Sequence, residues 1–190
     1  MYRFSSIFFL LFLTGCSEIT DINMLEQRDG LYYAIDSDTP FTGSIDSDYA
    51  NSDIYGRSYN GVVLTRGKII NGKKEGNWYE WYSRGKPFFA GEFVNGVQEG
   101  LHNWWHPNGK ISDQGPYLHG KRHGVYKSWY ESGSKKLILN YEEDRLHGEQ
   151  LQWDQDGNLA MREVYNQGKL RCRQLFDAED GDTEETGICN

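Results

Sequence analysis

Glycine falls at positions 61, 85, 109, 133 and 157, each 24 residues after the last. A second column holds Gly76, Gly100, Gly124 and Gly148 at the same spacing. Tryptophan recurs at Trp81, Trp105, Trp129 and Trp153, and an aromatic column follows at Phe93, Tyr117, Tyr141 and Tyr165, with Ile69 in the matching earlier place. Columns that keep one phase mark an internal repeat, in which copies of one supersecondary unit stack so that each touches only its neighbours.

Each unit reads as a β-hairpin. The late glycine column is preceded by Asn60, Arg84, Asn108, Ser132 and Asp156. Asn-Gly and Asp-Gly favour the two-residue type I′ turn, because both central positions need φ > 0. A second set of turns lies at Asn71-Gly72, Asn95-Gly96, His119-Gly120 and Gln167-Gly168. Runs such as 77–84 and 87–95 are rich in Trp, Tyr and Phe, as strands are. Two turns and two such strands fill the 24-residue period and leave no room for a helix. The expected fold is all-β, an elongated single-layer antiparallel meander. A two-residue loop sets Trp81 opposite Phe88 and Trp105 opposite Ser112. It places Tyr79, Trp81, Phe88 and Ala90 on one face and Trp78, Tyr82, Phe89 and Phe93 on the other. Neither face is cleanly apolar, so aromatics are expected to brace the sheet from both sides.

Composition narrows the partners. The chain has 190 residues with 28 Asp+Glu against 20 Lys+Arg, a formal net charge of −8. It lacks the clustered cations that neutralise phosphates, so nucleic acid is not an expected partner, and a bare anionic membrane would repel it.

The N-terminus carries an address. Residues 1–3 form a short positive start with Arg3, and residues 4–13 are apolar apart from Ser5 and Ser6, too short for a span that needs roughly 20 residues. Leu13-Thr14-Gly15-Cys16 resembles the bacterial lipobox. That resemblance implies cleavage before Cys16, a diacylglyceryl group on its sulfur, and a membrane partner reached through acyl chains. Ser17 after the cysteine implies the outer membrane. The organisation that follows is a lipoprotein signal peptide at 1–15, a linker at 16–28, a degenerate first repeat at 29–71, four repeats at 72–171 and an acidic tail at 172–190. The first repeat carries a nine-residue acidic insertion, since Gly43 to Gly61 spans 18 residues where Gly76 to Gly85 spans 9. In an oxidising compartment the two remaining cysteines, Cys172 and Cys189, can pair and tie down the tail.

The run Gly76-Asn77-Trp78-Tyr79-Glu80-Trp81-Tyr82-Ser83-Arg84-Gly85-Lys86 resembles the MORN-repeat-variant motif, and Asn71-Gly72-Lys73-Lys74-Glu75-Gly76 resembles its inter-hairpin turn. Asp29-Gly30-Leu31-Tyr32-Tyr33 and Pro40-Phe41-Thr42-Gly43 are similar to the opening of bacterial proteins in this group, which are commonly labelled antitoxins of toxin–antitoxin systems. The resemblance covers about residues 29–171 and departs from the pattern at Asp144, where other units have glycine. It implies the fold and an antitoxin-like or immunity-like role.

Catalytic signals are absent. The pairs His102/His106 and His119/His123 have a metal spacing only on a helix, and here they fall on strands and turns, so no metal and no cofactor is expected. His123 and His147 stand in the column of Glu75 and Glu99, a polar turn position. Neither G-x-S-x-G, a P-loop nor H-E-x-x-H occurs, and the chain is read as a non-enzyme. Exposed aromatics then become the candidate binding surface, with Trp78, Tyr82, Trp104, His106 and Tyr130 the expected set. Two roles fit such a surface: capture of an unknown protein partner, or binding of an envelope carbohydrate or choline-type ligand.

Overall fold

The computed structural model describes residues 19–47, 62–82, 85–176 and 183–187. The segment 1–15 read as a signal peptide, Cys16, Cys189 and the segment 48–61 that holds most of the acidic insertion lie outside the described residues. The chain starts with β1 (Ile19–Thr20), a single 3₁₀ turn (Ile22–Met24) and the hairpin of β2 (Leu25–Arg28) and β3 (Leu31–Ala34). Then come β4 (Gly43–Asp46), β5 (Val62–Ile70), β6 (Lys73–Tyr82), β7 (Pro87–Val94), β8 (Val97–Trp105) and β9 (Ile111–Leu118). The later units supply β10 (Lys121–Arg122), β11 (Gly124–Trp129), β12 (Lys135–Glu142), β13 (Arg145–Leu146), β14 (Gly148–Trp153) and β15 (Leu159–Asn166). The chain closes with β16 (Lys169–Phe176) and β17 (Thr183–Gly187). From β4 to β17 successive strands pair antiparallel in one 15-stranded sheet, with β10 and β13 as short pieces beside β9 and β12. β1 joins that sheet parallel to β4, and β2 with β3 forms a separate two-stranded sheet. The all-β meander read from the 24-residue period is the fold.

The two turn sets differ from each other, and the assignment by sequence reverses. Type I′ turns occupy the inter-hairpin set: Asn71/Gly72 have φ 49° and 77°, Asn95/Gly96 51° and 83°, His119/Gly120 51° and 79°, and Gln167/Gly168 50° and 77°. Glu143/Asp144 adopts the same conformation at 47° and 66° without a glycine. Aspartate tolerates the left-handed region, and Asp144 Oδ1 here accepts bonds from the Arg122 backbone N–H and Nε. Among the described residues of the late glycine column only the glycine has positive φ, for example 88° at Gly109. There Gly109 N–H donates to His106 O and His106 N–H donates to Lys110 O, both at 2.8 Å. This is a type I turn followed by a glycine bulge, with Pro107 at the position where its fixed φ is already correct.

The extra loop residue corrects the expected pairing. Trp81 lies opposite Pro87 rather than Phe88, and Trp105 opposite Ile111 rather than Ser112. One step further from the loop the register returns to the expected one, with Glu80 opposite Phe89 and Trp104 opposite Asp113. Phe88 and Ser112 are the bulged residues, and Phe88 leaves the face assigned to it to pack against Tyr82, ring centroids 5.0 Å apart.

Parts of the linker at 16–28 and of the acidic tail at 172–190 lie in strands. Within 16–28 the chain from Ile19 onward supplies β1, the 3₁₀ turn and β2, and Ile22, Leu25 and Tyr32 pack on the buried cluster of Phe41, Ile45, Ile69, Trp78 and Phe89. Asp29-Gly30 turns the hairpin, whose Tyr32 N–H donates to Gly72 O at 2.9 Å, so it caps the first inter-hairpin turn. At the other end, within 172–190, β16 continues the sheet and β17 pairs with it, Cys172 opposite Gly187. Cys172 is 1% exposed and disulfide-bonded.

Candidate interaction face

Aromatics stand on both faces of the sheet, as expected, but the two faces are unequally buried. The residues facing inward at the centre of each hairpin are Trp78, His102, Tyr126 and Gln150, again 24 apart. Trp78 and His102 are 0% exposed. The rings of Trp78, His102 and Tyr126 each lie over a glycine of the preceding strand, Gly67, Gly91 and Gly115, where a Cβ would collide with it. At Gly91 that Cβ would come within 2.6 Å of the His102 ring. These glycines form a third 24-residue column that the sequence shows but that the turn-based reading passed over, because none of the three stands in a turn. Their role is clearance for a ring.

Around these rings a continuous aromatic ladder runs along the inner face. Phe89, Phe93, Trp104 and Tyr117 surround His102 at centroid distances of 5.4, 5.5, 5.9 and 4.7 Å. Trp104 passes contact to Tyr126, and Tyr126 to Tyr141. The aromatic column and the second glycine column of the sequence turn out to be cross-strand partners: Gly76 faces Phe93, Gly100 Tyr117, Gly124 Tyr141 and Gly148 Tyr165. Burial and the adjacent Asp113, which accepts the Tyr126 hydroxyl at 2.9 Å, push the Tyr126 phenol well above its usual range. Burial likewise lowers Lys74, whose Nζ sits 4.2 Å over the Trp78 ring.

Polar staples join consecutive units at fixed separation. Tyr82 and Tyr130 donate their hydroxyls to Trp105 O and Trp153 O at 2.9 and 2.8 Å, and His106 donates Nε2 to Trp129 O at 2.9 Å. At the opposite edge Gly96, Gly120, Asp144 and Gly168 each donate a backbone N–H to the carbonyl 22 residues earlier, so the type I′ turns stack. Glu75, Glu99 and His147 accept the first N–H of the next turn, from Asn95, His119 and Gln167. At Glu75, Glu99 and His147 the polar column of the sequence is thus an acceptor column.

This geometry corrects the expected exposed set. Trp78 is wholly buried, Tyr82, Trp104, His106 and Tyr130 are half-buried, and the polar atoms of Tyr82, His106 and Tyr130 are engaged in staples. The face open to solvent is the other one. Strand alternation and the register place Trp81, Trp105, Trp129 and Trp153 there, half-buried, beside Tyr79, Asn103, Gln114 and Lys127 in one row and Leu101, Pro116 and Val125 in the next. Tyr79, Leu101 and Val125 are 40%, 51% and 43% exposed. Tyr79 stacks on Trp81 at 5.9 Å and 27°, and the Arg66 guanidinium sits 5.8 Å over Trp81. Gly85, Gly109, Gly133 and Gly157 shape the loops at one edge of this face. Among the described residues no three His, Cys, Asp or Glu side chains converge as metal ligands.

Three consecutive stretches match the MORN repeat variant. They are residues 98–119, 122–143 and 146–167. Each MORN match begins just after a type I′ turn, crosses one glycine bulge and ends at the next type I′ turn, so the matched unit is one hairpin of the sheet. The Gly76–Lys86 stretch that resembles the motif lies ahead of the matched MORN units, in the same structural phase. No curated protein matches the chain.

Proposed function

We propose that this is a non-catalytic, lipid-anchored interaction protein whose outer sheet face captures a partner protein in the cell envelope, in an antitoxin-like or immunity-like role. MORN repeats are often protein- or membrane-interaction modules. The observation that carries the reading is the open row of Leu101, Pro116 and Val125 beside the tryptophan column, on the face opposite the inner ladder. The anchor is proposed at Cys16, which follows the lipobox-like Leu13-Thr14-Gly15. Acyl chains contribute about 0.8 kcal/mol per buried methylene, and several chains hold a protein stably at the outer membrane.

The test has two parts. Radioactive palmitate should label the wild type and not Cys16→Ser, and only the wild type should sediment with outer membrane; soluble, unlabelled wild type sinks the anchor. A Leu101→Asp/Val125→Asp variant should keep its thermal transition and lose the envelope protein captured by the wild type. Retained capture would place the binding surface elsewhere.

One observation favours a second reading. The exposed Tyr79 ring stacked on Trp81 is a flat platform of the kind that packs on sugars or quaternary ammonium groups. Tryptophan fluorescence titrated with peptidoglycan fragments or choline decides it, since an unchanged spectrum at millimolar ligand removes the carbohydrate or choline role.

A further inference from the structure

We propose that His102 is an acid-labile joint in the inner ladder, at which protonation loosens the β7–β8–β9 junction and uncouples the first hairpins from the later ones. In the column Trp78, His102, Tyr126, Gln150 it is the one member that gains a proton on mild acidification. Its ring is 0% exposed and enclosed by Phe89, Phe93, Trp104 and Tyr117. Nε2 lies 3.0 Å from Glu92 O, a carbonyl that can only accept, so Nε2 carries the hydrogen. Nδ1 is then the acceptor for Gln98 Nε2 at 3.4 Å. A proton added at Nδ1 displaces that amide nitrogen and, against the pull of the Glu92 and Glu99 backbone carbonyls, puts a cation on a ring that is 0% exposed.

The charged and titratable groups facing the ring come from each strand around it. Lys74 on β6 repels the imidazolium, the Glu92 carboxylate on β7 attracts it, Glu99 on β8 acts through its backbone, and Tyr117 on β9 packs on the ring. Burial outweighs the rest and holds the imidazole below its usual 6.5. The unfolded chain therefore binds the proton first. The stability that neutral His102 supplies is complete above about pH 6.5 and falls as pH drops towards the lower folded value.

The test uses the full chain with labelled histidine. The His102 imidazole should titrate below 6.5 by NMR, and a midpoint at or above that value overturns the joint. Hydrogen exchange, corrected for intrinsic rates, should show β8 and β9 losing protection between about pH 7.5 and about pH 5 while β14 and β15 hold theirs. His102→Phe should abolish that loss. If it fails to fold, His102→Tyr, which copies the ring at position 126 of the same column, takes its place. An equal loss in the variant, or an equal loss in β14, refutes the proposal.

Discussion

The hairpins before Leu139 and those after it share one backbone plan and differ in what fills them. In the first group a ring lies over a glycine, Trp78 on Gly67, His102 on Gly91 and Tyr126 on Gly115. In the second, Leu139 and Glu163 stand where those glycines would be, and Gln150 replaces the ring. Without clearance for a ring, Gln150 instead accepts the Asn140 N–H through Oε1 at 2.7 Å and donates Nε2 to Asn140 O at 3.2 Å. Glu163, 7% exposed, is matched by Arg173 at 2.6 Å, and the disulfide of Cys172 lies on the next strand. The turn stacking is the same in both groups. Main-chain staples thus set the period, and the interior is free to be aromatic or polar provided that each buried polar group finds a partner.

Three changes would break or sharpen this comparison. The largest effect is expected for Trp78→Ala, which empties the centre of the cluster with Phe41, Ile45, Ile69 and Phe89 and should cost about 3–5 kcal/mol by denaturant midpoint. A cost below that of any change in the late hairpins would show that the ladder is not the main source of stability. Next comes Cys172→Ala, which removes a disulfide at the polar end and should cost about 2–4 kcal/mol, with exchange protection lost in β16 and β17 and retained in β6. Protection lost evenly along the sheet would mean that the two ends are not separable. The smallest effect is Arg122→Ala, under about 1 kcal/mol because the pair with Asp144 is solvent-exposed, and smaller still in high salt. Arg122 hydrogen bonds hold the Asp144 carboxyl below its usual 3.8. The pair's contribution is therefore present above that value and lost as pH falls through the lower folded one, so the gap between variant and wild type should narrow in strong acid to what the Arg122 contacts with Tyr141 supply.

Much of the fold was legible because glycine, tryptophan and tyrosine columns at a 24-residue period leave few backbones to choose from. The turn chemistry was legible only in part. Asn108-Gly109 and Asp156-Gly157 have the letters of a type I′ turn, yet both close type I turns with a glycine bulge, the first after Pro107 and the second without a proline, and Glu143-Asp144 makes a type I′ turn without glycine because its neighbours stack there. The exposed face was misjudged for a related reason. Trp78 and Trp81 are alike in composition and opposite in environment, and alternation alone says that they differ without saying which one faces water.

The sequence by itself determined the hairpin unit, its period and the strand order, since these follow from local turn conformations and from stacking between neighbours. Only the tertiary structure decided which face is interior. That choice rests on whether a ring on one strand finds a glycine beneath it on the next, as Trp78 finds Gly67, a contact between residues remote from any turn. It also decided that the polar residues at 75, 82, 99, 106, 130 and 147 are bonded into the frame, leaving Tyr79, Leu101 and Val125 as the open surface.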